Sequence, residues 1–411
     1  MTGKEDGIPP SECTSILRVD INGNVRTDVN TAAVIPRAPA AGYISPGVKE
    51  TILHEGPGTG RIDVHVVNPD SVKDSHTYRI TFENPTPFQN HPNPYFRFSD
   101  ETNGRVLIER RQVLSVGEET DVVDGMIGYV FNDSKVEIVK QQTRWVSGVP
   151  NIVTAVDLDP GAGFAAVNVR YPADFELRFS NTVVDTSTTG LFFGAPSATP
   201  TKFTFWNLTE NSKAQFLFYD ADSDSAFSIG DRIIIVYGDS LGKRARAGSY
   251  RTTWSVRMFV DSLALPVRLP GPGDVLKIAT TKPFRTSEAF QFTMRGHATD
   301  KGKARGDLDR IAVVPNPYAG AASWEPQNLF RSGRGERRIY FVNLPAKCTI
   351  RIYTVRGHLV QEINREAAVD DGQEAWNLVS KDGMDVAYGI YIYHVEASGI
   401  GEKIGRFAVI K

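Results

Sequence analysis

The chain has 411 residues, 41% of them hydrophobic and 23% charged, with 46 Lys and Arg against 48 Asp and Glu for a net charge of −2. At roughly 150 residues per domain that length holds more than one core, and the balanced charge excludes a global field that would hold nucleic acid or an anionic membrane. No apolar run reaches the ~18 residues of a membrane-spanning helix.

The 36 Gly and 24 Pro point to many turns and favour strands over helices. Cys13 and Cys348 stand near opposite ends of the chain, so no disulfide framework supplies the stability. Residues 1–60 contain two short alternating stretches, Ile16–Ile21 and Val25–Val29, followed by a Pro/Gly-rich passage, and are predicted to form an extended N-terminal arm lying on a neighbouring sheet. Met1–Pro10 lack the apolar core of a secretory signal.

From Arg61 a period of two takes over. Predicted strands are Asp63–Val67, Thr77–Phe82, Val106–Glu109, Met126–Phe131, Val136–Val139, Phe175–Phe179, Lys202–Trp206, Gln215–Tyr219, Ile233–Tyr237, Thr253–Phe259 and Ala289–Met294. Alternation, β-branched and aromatic residues, and turn residues between the runs are the pattern of antiparallel sandwiches. Residues 61–296 are therefore read as a β-sandwich region of one domain or two, 297–310 as a polar linker, and 311–411 as a separate terminal domain.

One loop in this region has metal-ligand spacing. Asp220, Asp222 and Asp224 occupy the first, third and fifth positions, Ala226 offers a carbonyl at the seventh, Ser228 a hydroxyl at the ninth, and Asp231 a carboxylate at the twelfth. That is the oxygen layout of an EF-hand-like Ca²⁺ loop. The sharp-turn glycine is replaced by Ser225, and the flanks are predicted strands, so only the loop geometry would be shared. A solvated hairpin turn, with Asp and Ser bonding their own backbone, is the competing explanation.

Gly238-Asp-Ser-Leu-Gly242 matches the Gly-x-Ser-x-Gly nucleophile pattern, with Ser240 as the nucleophile of an esterase. Such chemistry needs a His, an acid to orient it, and a strand-turn-helix setting. The histidines after Ser240 are His297, His358 and His394, all distant in sequence, and the stretch after Gly242 is too short for the helix. A hairpin turn is preferred, and the chain is expected to have no catalytic site. The seven histidines form no zinc-hydrolase spacing, and Gly56-Pro-Gly-Thr-Gly60 lacks the preceding strand and the Lys of a phosphate loop. Trp145, Trp206, Trp254 and Trp324 are candidates for either a sugar platform or core packing.

The last hundred residues carry a motif series. Pro315-Asn-Pro-Tyr318 is followed by the alternating run Cys348–Val355, the turn Arg356-Gly-His358, Trp376-Asn-Leu378, the run Gly389–Val395 and a final strand Lys403–Lys411. The segment Ile311–Lys411 resembles the type A C-terminal sorting domain of the type IX secretion system, which is similar to the immunoglobulin-like domain of flagellar hook-capping proteins. The resemblance implies an immunoglobulin-like fold, export to the cell surface, the type IX machinery as partner, and recognition through Lys403–Lys411. Cargo of that system carries an N-terminal signal, so the resemblance further implies that the residues belong to a longer precursor.

The combined expectation is an all-β chain of tandem antiparallel β-sandwiches with an immunoglobulin-like C-terminal domain, secreted or on the outer cell surface. The upstream sandwiches would serve structure or adhesion, with copies of the chain or surface glycans as further partners, no nucleic acid, no membrane span, and Ca²⁺ as a structural ion. The alternatives are a carbohydrate-binding accessory region of a polysaccharide-degrading protein and the Ser240 esterase.

Overall fold

The computed structural model describes residues 17–19, 25–27, 38–84, 93–114, 116–159, 170–190, 195–238, 250–260, 266–286, 288–320 and 337–410. Strands dominate them, as the period of two predicts, and they form two compact units, Gly47–Gly296 and a second built from Met1–Pro46 with His297–Lys411.

The 47–296 unit holds two hydrophobic cores. In the first, Thr77–Glu83 pairs with Ala289–Arg295 on one side and Tyr95–Asp100 on the other, and a smaller sheet centres on Met126–Phe131. Alternation turns Tyr78, Ile80 and Phe82 inward onto Phe96, Phe98, Phe290 and Phe292. The second core lies between a sheet carrying Phe175–Phe179 and Phe203–Asn207 and one carrying Gln215–Tyr219, Arg232–Tyr237 and Arg251–Val260. Strand Arg232–Tyr237 is buried on both faces: Ile233 and Ile235 enter the main core, while Ile234 and Val236 pack with Leu217 behind it. Charged ties link the segments around the two cores. Lys282 Nζ lies 2.6 Å from Asp174 Oδ1, and Arg285 Nη1 lies 2.7 Å from Glu210 Oε1.

The other unit is an immunoglobulin-like sandwich. Ala312–Val314, Ile339–Val342 and Glu374–Trp376 make one sheet. Tyr318–Ala319, Gly401–Ile410, Gly389–Ala397, Lys347–Thr354 and Leu359–Glu366 make the other, and among the described residues only the Tyr318–Ala319 pairing with Gly401–Ile410 is parallel. Phe341, Trp376, Tyr391, Tyr393 and Phe407 meet in the core. Tyr393 crosses opposite Gly405, where a Cβ would lie 2.2 Å from its hydroxyl, and that hydroxyl donates to the Ile311 carbonyl across the sandwich at 3.1 Å.

Three expectations are corrected. The 297–310 segment is not a linker: Asp300 caps a helix over Lys301–Asp307 by accepting from the Lys303 amide, and Ala304 and Leu308, four residues apart, bury on one face. The 1–60 arm is divided, since residues 38–46 belong with the C-terminal sandwich and 47–60 with the other unit. Val136–Val139 does not form a strand: Ile138 makes an isolated bridge to Thr280, flanked by hydrogen bonds from the Val139 amide to the Ala279 carbonyl and from the Thr281 amide to the Glu137 carbonyl, each at 2.9 Å. Among the described residues no helix is long and apolar enough to cross a membrane.

The glycine-rich passage 56–60 wraps a carboxylate of its own chain. Glu288 is fully buried, accepts from the Gly58 amide at 2.8 Å, and lies 2.8 Å from His54 Nε2; a Cβ on Gly56 would fall 2.3 Å from it. Burial pushes the Glu288 carboxyl above the ordinary glutamate range, against the opposing pull of His54 and the Gly58 amide. The folded chain then retains a proton the unfolded chain has lost, so this group's contribution to stability falls as pH rises from the ordinary glutamate value through the raised one. Glu288→Gln should flatten the fall of melting temperature as pH rises above the ordinary glutamate value of about 4, and an unchanged slope would contradict this role.

Candidate metal centre in the 220–231 loop

Strands Gln215–Tyr219 and Arg232–Tyr237 pair antiparallel with Tyr219 opposite Arg232, so residues 220–231 close a hairpin. The loop is held by its own side chains. Asp220 accepts from the Asp224 amide at 3.3 Å and the Ser225 amide at 2.9 Å, and Asp224 accepts from the Ala226 amide at 2.6 Å. Ser223 and Ser225 take φ of 59° and 65°, so Ser225 adopts the left-handed backbone that the usual glycine provides. Phe227 drops into the core against Phe203 and Phe218, and the Lys202 amide donates to the Ser225 carbonyl at 2.8 Å.

Folding brings three of the six predicted ligands together. Carboxylate oxygens of Asp220, Asp222 and Asp224 all lie within 4.8 Å of one another, Asp220 half-buried and the other two exposed. Like charges this close repel, and a divalent cation among hard oxygen donors would offset the repulsion.

Asp231 does something else. It is only 2% exposed, one oxygen accepts from the Ala221 amide at 2.8 Å and the other from the Ser228 amide at 2.7 Å, so it ties the two ends of the loop and stands outside the carboxylate cluster. Burial raises its carboxyl above the ordinary aspartate range, although those amides pull the other way. Ser228 directs its hydroxyl to the Ile229 carbonyl at 3.5 Å, and Ala226 is half-buried beside Phe227.

Ser240 and the Gly238–Gly242 motif fall mainly within 239–249, outside the described residues, as does Trp324. Trp254 and Trp376 are buried, Trp145 packs on Phe179, and Trp206 lies under the Arg178 guanidinium. Sequence reading missed the buried acids. Asp100, with no exposed side-chain surface, lies 3.0 Å from His76 Nδ1, while Asp124 lies 3.1 Å from Lys73, 2.7 Å from Arg105 and 3.1 Å from the Tyr78 hydroxyl. Asp124 is held below the usual aspartate range because these donors outweigh its burial. No local pattern marks such clusters, since each partner comes from a different strand or loop.

The sequence matches no protein-family profile and no curated protein. Among solved structures it is similar to PorZ, a surface component of the type IX secretion system of Porphyromonas gingivalis, at 10% identity and a TM-score of 0.21, over 81% of this chain and 51% of that one. It is also similar to the flagellar hook junction protein FlgK of Burkholderia pseudomallei, at 12% identity and a TM-score of 0.17, over 59% of this chain and 43% of that one. Latent PorU of P. gingivalis follows at 10% identity and a TM-score of 0.17, over 81% of this chain and 46% of that one. The chain thus spans about half or less of each of these proteins, and likenesses this shallow fix neither family nor activity.

Proposed function

We propose that this chain is a non-catalytic, secreted or cell-surface protein whose C-terminal sandwich directs type IX export and surface attachment, while the sandwiches of residues 47–296 serve structure or adhesion. The observation that carries the reading is that the terminal motif series folds into one immunoglobulin-like sandwich. Its last strand, Gly401–Ile410, lies between Gly389–Ala397 and Tyr318–Ala319, buries Phe407 and Val409, and presents Glu402, Ile404 and Arg406 to solvent. An exposed row on a rigid strand is a surface that export machinery can read without unfolding the domain.

The test uses the full chain behind a periplasmic export signal in a type IX-competent host. Ile404→Lys combined with Arg406→Glu alters the exposed row and leaves the buried one intact. Export to the surface is expected to drop at least tenfold while the melting curve is unchanged. Surface display equal to that of the unaltered chain would contradict recognition through this strand.

Ca²⁺ in the 220–231 loop is the structural part of the same proposal. With affinity on the order of 10⁻³ M, as in extracellular modules, about 10 mM Ca²⁺ should stabilise the unit by about 1.4 kcal/mol. Asp222→Ala should remove that gain without loss of the fold, since among the described residues Asp222 accepts one long hydrogen bond, 3.4 Å from the Asp224 amide. A thermal shift of the same size in both proteins would exclude the loop as the site.

A further inference from the structure

Residues 38–44 lie along the C-terminal sandwich, turning at Ala41–Gly42 where the Tyr43 amide donates to the Ala40 carbonyl at 3.0 Å, and bond to the sandwich mainly through their backbone. The Ala40 and Ala41 amides donate to the carbonyls of Val369 and Leu344 at 3.0 and 2.9 Å, and the Gly372 amide donates to the Ala38 carbonyl at 2.7 Å. Gly42 donates to Asp307 Oδ2 at 3.0 Å and accepts from the Asp300 amide at 2.9 Å, and Tyr43–Ile44 pair antiparallel with Ala298–Thr299.

The seat also selects side chains. Ala40 and Ala41 are buried, and Gly42 has φ +79°, where a Cβ would lie 2.5 Å from the Asp300 carbonyl oxygen and 2.7 Å from the Ala304 Cβ. On the receiving side, a Cβ on Gly372 would come within 2.3 Å of the Pro39 carbonyl oxygen. Main-chain bonds give such a groove its affinity and the excluded Cβ positions its specificity, the division of labour by which peptides are recognised through their backbone. The groove therefore takes a segment of small residues that turns at a glycine in one fixed place.

All of these bonds join 38–44 to residues 298–372, and none requires that the two be linked through residues 47–296. The same set forms when the segment comes from another molecule, the condition under which exchange costs little. We propose that this groove is a peptide-binding site for the 38–44 segment, filled in cis by the chain itself and open in trans to the segment of a second copy, so that copies join head to tail. A tethered segment competes at an effective concentration on the order of millimolar, so the cis form prevails in dilute solution. The proposal is independent of the export reading.

Two full-length variants test it. Gly42→Val spoils the segment and leaves the groove; Gly372→Val spoils the groove and leaves the segment. Each alone should sediment as a monomer. An equimolar mixture should give a species of twice the mass, because the Gly372→Val chain lends its segment to the Gly42→Val chain. A mixture that sediments like its separate components, with both variants melting cooperatively, overturns the proposal. If either variant fails to fold, saturation-transfer NMR on the unaltered chain decides, using synthetic peptides of residues 36–47 at about 10 mM, above the effective concentration of the tethered segment. Signal from the natural peptide at least tenfold above that from its Gly42→Val form supports the groove, and equal signals, or none, refute it.

Discussion

Replacing Arg365 with Leu is expected to destabilise the C-terminal sandwich by roughly 3–5 kcal/mol, the cost of breaking a buried charged network by removing one member. The Arg365 side chain is 1% exposed, Nη1 donates to the Pro345 and Ala346 carbonyls at 3.0 and 3.2 Å, and Nη2 donates to those of Asp371 and Gln373 at 2.6 and 3.2 Å. Nε lies 3.4 Å from Glu374 Oε2, within ion-pair range but not aligned for a hydrogen bond. Burial raises the Glu374 carboxyl even with that guanidinium beside it. Leucine leaves the carbonyls without these donors and a partly buried acid without its cation. The turn so released contains Gly372, which receives the 38–44 segment, so the same substitution should loosen that segment. Hydrogen exchange at the Ala40 and Ala41 amides reads this directly. Arg365→Lys should recover only part of the loss, because a single ammonium cannot reproduce the planar fork. A urea midpoint unchanged by Arg365→Leu would show that the network is dispensable.

Phe203→Ala is expected to cost about 3–5 kcal/mol in the 47–296 unit. Phe203 has no exposed surface, and the rings of Phe179, Phe216, Phe218 and Phe227 surround it at centroid distances of 5.1 to 6.4 Å. A cavity there cannot collapse easily, because both sheets contribute walls to it. Phe203→Leu keeps most of the volume and should cost about 1.5 kcal/mol or less. Phe227 anchors the aspartate loop against Phe203, so the alanine variant should also weaken the Ca²⁺-dependent thermal shift. An equal urea midpoint for Phe203→Ala and Phe203→Leu would contradict a packing role.

Strands were legible wherever one face is buried and the other wet. Thr77–Glu83 alternates Tyr78, Ile80 and Phe82 against polar neighbours, and the structure follows that alternation residue by residue. Tyr95–Asp100 escaped notice because only Phe96 and Phe98 carry its apolar face, behind an Asn/Pro cluster that reads as loop. The helix at Lys301–Asp307 escaped for a similar reason, since its buried face is little more than Ala304 and Leu308 in a stretch rich in Gly and Lys.

The loop of residues 220–231 was recognisable from carboxylate spacing, but spacing does not distinguish a ligand from a staple. Asp231 occupies the twelfth position and is engaged by two amides. The 38–44 segment was illegible for another reason. Its Pro/Ala/Gly composition describes a turn, and the partner that gives Gly42 its purpose, Asp307, lies 265 residues away. The His54–Glu288 pair spans 234 residues and likewise has no local mark.

The most direct test of the account compares the full chain, preceded by a periplasmic export signal, in a host with intact type IX machinery and in an otherwise identical host lacking it. The quantity measured is the fraction of folded protein that external protease removes from intact cells. The account predicts that most of the protein is protease-accessible in the competent host and that it accumulates, folded and protected, in the periplasm of the deficient one. Folded protein distributed identically in the two hosts would contradict the role assigned to the C-terminal sandwich.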